Sequence, residues 1–104
     1  MLYVPSLVIT EVAHLASSRL GTDAEAHFVA DFAKGVLVAE PVDVGDWTRI
    51  VQLVAQYRYL PLGTVDASII AAAERLRMDT IATLDRRHFA VVRPTHAAAL
   101  HLVP

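Results

Sequence analysis

The feature that most constrains this chain is the alternation of short apolar runs with longer segments of helical periodicity. The runs at residues 2–4, 36–39 and 80–84 have the length and apolar content of strands, and the last is continuous enough to predict burial on both faces. Between them, apolar residues recur at the 3.6-residue spacing of amphipathic helices. This alternation predicts an α/β domain with a mostly parallel sheet flanked by helices.

Capping residues place the predicted helices along the chain. Pro5 suits the first turn of a helix that ends at Arg19 and Gly21. Asp43 and Thr64 are the predicted N-caps of later helices, and the ranges 22–33, 43–57 and 65–77 are predicted to be helical. The side chains expected on the inner faces are Leu7, Val8, Val12, Leu15 and Ala16, then Phe28, Val29 and Phe32, then Trp47, Ile50, Val51, Val54 and Ala55, and finally Ala67, Ile70, Ala71, Ala73 and Leu76.

The last part of the chain is predicted to form short elements. A turn at residues 86–89 leads to a last strand at 91–92, which Pro94 closes, and residues 100–103 are predicted to add an edge strand. Because the chain contains no internal repeat, low-complexity segment or Gly/Ser linker, we expect a single domain over residues 1–104.

Composition excludes several classes of protein. The chain has 104 residues, 55% of them hydrophobic, and no cysteine, so a core is easily built while disulfides and thiolate metal sites are excluded. No apolar run reaches the ~20 residues of a membrane span, and no basic leader resembles a signal peptide. We therefore expect a cytoplasmic protein without a membrane partner.

The charges are unevenly distributed, although the formal net charge is only -2. Acids are frequent in the first half and arginines in the second half, which suggests a local basic surface near the C-terminal third. Arg75 and Arg77 are nevertheless interpreted as solvated helix charges.

Three carboxylates interrupt apolar elements, where a charge is costly without compensation. Asp66 taken alone is best explained as a helix N-terminal acid that complements the macrodipole. Asp85 taken alone is explained equally well as a cap of the following turn. Glu11 is different, because its neighbours Ile9, Val12 and Leu15 look buried and a lone glutamate among them needs a partner.

Together, the three acids point to a shared cation. Hard divalent ions such as Mg²⁺ and Mn²⁺ prefer oxygen ligands, and carboxylates held close together repel one another until such an ion binds. A metal in this position can polarise a phosphate and activate a water for in-line attack. That chemistry is phosphodiester hydrolysis.

Other chemistry finds little support in the sequence. There is no Gly-rich phosphate loop, and no serine stands in a nucleophile elbow. His88 is interpreted as packing in its turn, and Trp47, Tyr57 and Tyr59 as core or loop packing rather than as a base-stacking platform. No zinc spacing occurs among the histidines, which are His14, His27, His88, His96 and His101.

Three segments resemble the acidic motifs of a known family. Residues 4–12, which contain Glu11, resemble the second acidic motif of PIN-domain ribonucleases, and residues 63–69 resemble the third. Residues 82–89, with the sequence Ala-Thr-Leu-Asp-Arg-Arg-His-Phe, are similar to the fourth, especially in bacterial VapC-type toxins. The resemblance covers essentially the whole chain, in the family's order and spacing.

The resemblance implies a PIN-like three-layer fold and an endoribonuclease that is the toxin of a type II toxin–antitoxin pair. It implies Mg²⁺ or Mn²⁺ as the cofactor and RNA, often tRNA or ribosomal RNA, as the substrate. The implied partners are a cognate antitoxin that buries the acidic site and a second copy of the chain, which makes a homodimer.

The resemblance also implies roles for single residues. Asp66 would be a principal metal ligand, and Asp85 would help to hold this metal or a second one. Glu11 would bind the metal directly or through water, or orient the attacking water. Arg86 and Arg87 are candidates for contact with the RNA phosphate.

The chain departs from the family at its start. The family's first motif, an aspartate at the end of the opening strand, has no counterpart in this sequence. We therefore expect an N-terminally truncated form or a fragment, unless another chain or a rearranged segment fills the position of that strand. Two alternatives stay open: a non-catalytic PIN remnant that binds antitoxin or dimerises, and an unrelated nucleotide-binding α/β module.

Overall fold

A computed structural model of the chain describes residues 2–83 and 87–103. The chain divides into an N-terminal unit, Met1–Val42, and a C-terminal unit, Asp43–Pro104. Each contains helices and a pair of parallel strands, so the predicted α/β class is confirmed. The expectation of a single domain over residues 1–104 stays a prediction. Among the described residues, no helix has the length and apolar character needed to cross a membrane.

The N-terminal unit combines two parallel strands with two helices. Its elements are β1 (Leu2–Pro5), α1 (Ser6–Leu20), α2 (Thr22–Ala33) and β2 (Leu37–Glu40). Leu2 lies opposite Leu37 in the sheet, and the hydroxyl of Ser6 donates a 3.1 Å hydrogen bond to the carbonyl of Glu40. This bond ties the first turn of α1 to the end of β2.

The boundary between α1 and α2 depends on Gly21. Its φ of 98° lies in the region that favours glycine, because a Cβ there would crowd the backbone. Its N–H bonds to the carbonyls of Ala16 and Ser17 in the last turn of α1. The helix end predicted at Gly21 and the second helix predicted at residues 22–33 are both confirmed.

No residue described in the N-terminal unit is buried. The inner faces predicted for α1 and α2 are therefore wrong, since Val12 and Val29 are exposed and Leu15 keeps 42% of its surface accessible. Phe28 and Phe32 make an edge-to-face contact with ring centroids 5.3 Å apart, but both remain half-buried. A unit of about 40 residues with a two-stranded sheet has too little volume to enclose large side chains.

The C-terminal unit is built around two packed helices. Its elements are α3 (Val44–Gln56), α4 (Thr64–Leu76), β3 (Thr80–Ala82), α5 (Arg87–Val91) and β4 (His101–Val103). Asp43 is the N-cap of α3, as predicted, and its N–H donates to the carboxylate of Asp46 at 3.1 Å. In α4 the N-cap is Gly63 and not the predicted Thr64, which is the first helical residue. The predicted C-terminal edge strand is confirmed as β4, which pairs with β3 in parallel.

A buried ion pair joins α3 to α4. Asp46 is only 6% exposed, and Nε and Nη2 of Arg75 donate to its carboxylate at 3.1 to 3.2 Å. Arg75 is therefore the partner of a buried acid and not the solvated charge that the sequence predicts. Close to this pair in sequence, Arg49 donates to both oxygens of Glu74 at 2.7 and 2.9 Å.

The predicted inner face of α3 is largely wrong. Its buried residues are Asp46, Ile50 and Leu53, which follow the i, i+4, i+7 pattern. Trp47 is exposed, and Val51 keeps 67% of its surface accessible. An apolar groove of about 420 Å³ is lined by Trp47, Ile50, Val51, Val54, Ala55 and Thr64. Periodicity misplaces this face because it counts an acid such as Asp46 as an outward residue.

Three predictions for the segment after α4 are also wrong. Residues 91–92 form no strand, since Val91 is the last residue of α5 and Val92 follows it, fully buried. From residue 87 onward, α5 also replaces the predicted turn. In β3, Ile81 is buried while Thr80 and Ala82 are exposed, so burial on both faces fails over residues 80–82. Among the described residues β3 pairs only with β4, and the face that carries Thr80 and Ala82 is not covered by another layer.

Candidate active site

Asp66 lies in the first turn of a helix, as the sequence predicts. It is the third residue of α4, where the N–H of Ala67 donates the helical hydrogen bond to the carbonyl of Gly63 at 2.9 Å. Its side chain is partly buried, and a carboxylate at this position is stabilised by ~0.3–1 kcal/mol through the helix macrodipole. This position alone accounts for the charge, so a functional role needs a second observation.

The second observation is a contact with His88. Nδ1 of His88, in α5, lies 2.9 Å from Oδ2 of Asp66, and both side chains are partly buried. Because an ionised carboxylate only accepts hydrogen bonds, Nδ1 carries the hydrogen and donates it. Among the described residues, no hydrogen bond reaches Oδ1 of Asp66. The pair therefore holds the carboxylate in one orientation and leaves one oxygen for a ligand.

Local spacing does not predict the contact between Asp66 and His88. The two residues are 22 positions apart, and His88 lies in a helix rather than in the predicted turn. The available signal was the position of His88 in the 82–89 motif, next to an acid of the predicted site. A motif identifies a segment as functional, but only the tertiary structure shows which side chain each residue contacts.

Other contacts anchor the elements that carry this pair. The hydroxyl of Ser68 donates to a backbone carbonyl of the same turn of α4 at 2.6 Å, and Phe89 beside His88 is buried. After α5, the N–H of Arg93 donates to the hydroxyl of Tyr57 at 3.0 Å. The bond of Ser68 stays within α4, whereas buried Phe89 and the bond of Arg93 to Tyr57 connect α5 and the residues after it to the rest of the C-terminal unit.

Glu11 lies on α1 in the N-terminal unit and is exposed. The expectation that its apolar neighbours are buried is wrong, since Val12 and Leu15 are exposed as well. No described side chain hydrogen-bonds to its carboxylate. An exposed carboxylate keeps its hydration shell, so burial gives no argument for a function of Glu11. Its predicted role rests on the motif alone.

The remaining predicted site residues belong to the 82–89 segment. Asp85 and Arg86 lie outside the described residues, and Arg87 is exposed at the first position of α5. Within either unit, no three His, Cys, Asp or Glu side chains among residues 2–83 and 87–103 are placed to hold a metal ion. Of the three predicted acids, Asp66 and Glu11 are thus described, and they belong to separate units.

Two comparisons with known proteins agree on the family. The pattern of the PIN domain matches residues 1–93. This chain belongs to the PIN-domain family. Over 103 residues, this PIN domain is 31% identical to Ribonuclease VapC26 of Mycobacterium tuberculosis, a match that covers 99% of the chain and 76% of that protein. The resemblance of its motifs to VapC-type PIN ribonucleases is therefore confirmed.

The family match includes the residues singled out above. Glu11, Asp66, Asp85 and His88 all fall within residues 1–93 of this PIN domain, whereas β4 lies beyond the matched range. The unrelated nucleotide-binding module considered from the sequence is thereby excluded.

Proposed function

We propose that this chain is an Mg²⁺- or Mn²⁺-dependent endoribonuclease, the toxin of a type II toxin–antitoxin pair, with Glu11, Asp66 and Asp85 as its acidic site. The observation that carries the proposal is the 31% identity to a ribonuclease over 99% of the chain. The geometry of Asp66 supports it, because Nδ1 of His88 holds one oxygen of this carboxylate and no described residue hydrogen-bonds to the other. The substrate is RNA, with tRNA and ribosomal RNA as the first candidates.

The donor chemistry of Asp66 fits a hard divalent cation. Carboxylate oxygens are the ligands that Mg²⁺ and Mn²⁺ prefer, and Oδ1 of Asp66 accepts no hydrogen bond from a described residue. A bound cation of this kind polarises the scissile phosphate and lowers the pKa of the attacking water. His88 keeps Oδ2 occupied, so Asp66 offers Oδ1 in a fixed direction.

The other predicted residues complete the proposed site. Asp85 supplies a second carboxylate to the same centre, and Glu11 binds the ion directly or through water or orients the attacking water. Arg86 and Arg87 contact the RNA phosphates, because guanidinium groups bind phosphate oxygens with two hydrogen bonds. The proposed partners are a cognate antitoxin that covers this acidic site and a second copy of the chain.

A second candidate function is a non-catalytic module that binds antitoxin or dimerises. The observation that favours it is the exposed apolar surface of the N-terminal unit, which includes Leu15, Leu20 and Val29. Large exposed apolar surfaces mark sites of protein–protein interaction. The two candidates differ in whether the chain cleaves RNA, so one experiment separates them.

The experiment measures Mn²⁺-dependent cleavage of a pool of total tRNA and ribosomal RNA by the chain and by Asp66→Asn. Loss of the ligand charge is expected to lower the cleavage rate by more than about 100-fold, since even second-shell changes at metal sites cost 10- to 100-fold. Asp79→Asn, which removes an exposed carboxylate of the same unit, is the matched control and is expected to cleave normally. A folded parent chain that shows no metal-dependent cleavage would contradict the nuclease proposal and favour the binding module.

A further inference from the structure

Tyr59 is the most exposed large hydrophobic residue in the described part of the chain. It keeps 89% of its surface accessible, although aromatic rings usually bury a large area on folding. The guanidinium carbon of Arg58 lies 5.3 Å from the centroid of its ring, a cation–π distance. The interpretation of Tyr59 as core or loop packing is therefore wrong, whereas Tyr57, two residues earlier, is partly buried.

The turn that carries Tyr59 is anchored on both sides. The carbonyl of Tyr57 accepts hydrogen bonds from the N–H groups of Leu60 and Leu62, at 2.9 and 3.3 Å. Leu62 is only 2% exposed, and the hydroxyl of Tyr57 accepts the N–H of Arg93. The ends of the turn are thus fixed while Arg58 and Tyr59 project from it, so the exposed ring is presented by a defined scaffold.

This turn leads directly into the helix that carries Asp66. Gly63 is the N-cap of α4, and Asp66 follows within the first turn. Four extended residues and one helical turn keep the Cα atoms of Tyr59 and Asp66 within about 20 Å of each other. The exposed ring is therefore carried by a segment that is close along the chain to the proposed metal ligand.

The chemistry of the turn suits single-stranded RNA. An exposed ring stacks on any nucleobase, and an adjacent guanidinium extends the stack or binds the phosphate. Residues 57–63 contain one cation and no acid, in a chain whose net charge is -2. The turn therefore places one cation beside the exposed ring and no acid that would repel a phosphate.

We propose that Tyr59 and Arg58 form a stacking platform that binds one base and the adjoining phosphate of single-stranded RNA near the cleaved bond. The proposal rests on the proposed ribonuclease function and adds to it how the substrate is held. The ring of Tyr59 supplies sequence-tolerant stacking energy, and Arg58 supplies a charge that is screened by salt. The platform positions RNA and takes no part in the bond-breaking step.

The test measures binding of a short fluorescent single-stranded RNA by anisotropy, with EDTA present so that the RNA stays intact. Tyr59→Leu is expected to weaken binding roughly tenfold, and Tyr59→Phe, which keeps the ring, is expected to bind nearly as the parent chain does. Arg58→Gln is expected to reduce the slope of log affinity against log salt by about 0.7. Arg77→Gln is the charge-matched control, because Arg77 is exposed and lies outside this turn. The slope of log affinity against log salt is expected to change little in this variant.

A second arm replaces one nucleotide at a time by an abasic site. If Tyr59 stacks on a base, one abasic position abolishes the penalty of Tyr59→Leu, so that the two losses are not additive. Additive losses at every position, or parent-like RNA binding by Tyr59→Leu, would overturn the platform. A Tyr59→Leu variant that changes only the sedimentation of the protein would overturn it too and assign the surface to a protein contact.

The same measurements keep the two proposals apart. If RNA binding depends on Tyr59 but the parent chain does not cleave RNA with Mn²⁺, the platform is supported and the nuclease proposal is rejected. If the chain cleaves RNA with Mn²⁺ but Tyr59→Leu binds RNA as tightly as the parent chain, the nuclease proposal is supported and the platform is rejected. A parent chain that does not bind single-stranded RNA rejects the platform outright.

Discussion

The two units of this PIN domain differ in how far their apolar side chains are buried. In the N-terminal unit, no described residue is buried, even though α1 and α2 have many apolar side chains. In the C-terminal unit, Leu53, Ile70 and Val92 are fully buried. The difference shows that an amphipathic helix alone does not make a core. α1 and α2 contact each other, as α3 and α4 do, but only the longer C-terminal unit has enough chain to enclose large side chains.

The acids of the two units differ in the same way. Glu11 is exposed and has no described partner, whereas Asp66 is held by His88 and Asp46 is held by Arg75. A carboxylate that is held by a packed neighbour has one orientation, while an exposed carboxylate samples several rotamers. The C-terminal unit therefore carries the ordered part of the candidate site.

The largest effect is expected from removing a core side chain in one unit but not in the other. Leu53→Ala leaves a cavity beneath α3 and is expected to cost ~2–5 kcal/mol of unfolding free energy. Leu15→Ala, the same change at an exposed position of α1, is expected to cost less than ~1 kcal/mol. Urea unfolding followed by the fluorescence of Trp47, the single tryptophan, and by far-UV circular dichroism measures both values. A loss above ~2 kcal/mol for Leu15→Ala would show that α1 is enclosed in solution.

A smaller effect is expected from removing the hydrogen bond that orients the carboxylate of Asp66. His88→Ala removes the donor to Asp66 and is expected to weaken Mn²⁺ binding about tenfold. His88→Asn, whose amide places a donor near the position of Nδ1, is expected to restore most of this affinity. His14→Ala removes the exposed histidine one turn after Glu11 and is expected to change nothing.

Calorimetric titration with Mn²⁺ measures these affinities, and thermal unfolding of the same samples reports their stability. If the affinity loss of His88→Ala follows its loss of stability and Asn does not restore it, His88 packs α5 and does not position Asp66.

The smallest effect concerns pH. Burial by itself would raise the pKa of Glu74, but hydrogen bonds from Arg49 and from the N–H of Thr95, with the charge of Arg49, outweigh it and hold this pKa below its ordinary value. A lowered folded-state pKa means that the contribution of Glu74 is fully present above about pH 4.5 and is lost as the pH falls through the folded value.

Glu74→Gln is therefore expected to be less stable than the parent by about 1 kcal/mol at pH 7, and the gap is expected to shrink below about pH 4.5. Glu11→Gln is the same acid-to-amide change at an exposed position of the other unit, and it is expected to change the stability at pH 7 by less than ~0.5 kcal/mol. Urea unfolding between pH 3 and pH 7, in steps of about half a pH unit, measures the stability of both variants. A gap for Glu74→Gln that widens on acidification would contradict the lowered pKa.

The helix boundaries could be predicted because their causes are local. Gly21 ends α1 through a backbone conformation that glycine favours, and Asp43 begins α3 as its N-cap. The edge strand β4 and the position of Asp66 in the first turn of α4 were likewise readable from neighbouring residues. The family could be identified because its motifs are short, ordered segments of the sequence.

The inner faces of α1, α2 and α3 and the partners of the acids could not be predicted in the same way, whereas Ala67, Ile70, Ala71 and Ala73 of the predicted inner face of α4 are buried. The inward face of α3 includes Asp46 because Arg75, 29 positions later, compensates its charge. The pattern of residues 91–92 predicts a strand, whereas Val92 follows α5 and is buried in the core of the C-terminal unit.

The sequence by itself determined the α/β class, most helix ends and the PIN family, because caps, glycines and motifs act over a few residues. Only the tertiary structure decided which apolar faces are covered, that Asp46 pairs with Arg75, that His88 orients Asp66 and that Tyr59 is exposed. The physical reason is that burial and pairing depend on which surfaces meet in space. Residues that meet in this way are far apart along the chain, and local periodicity contains no information about their distance.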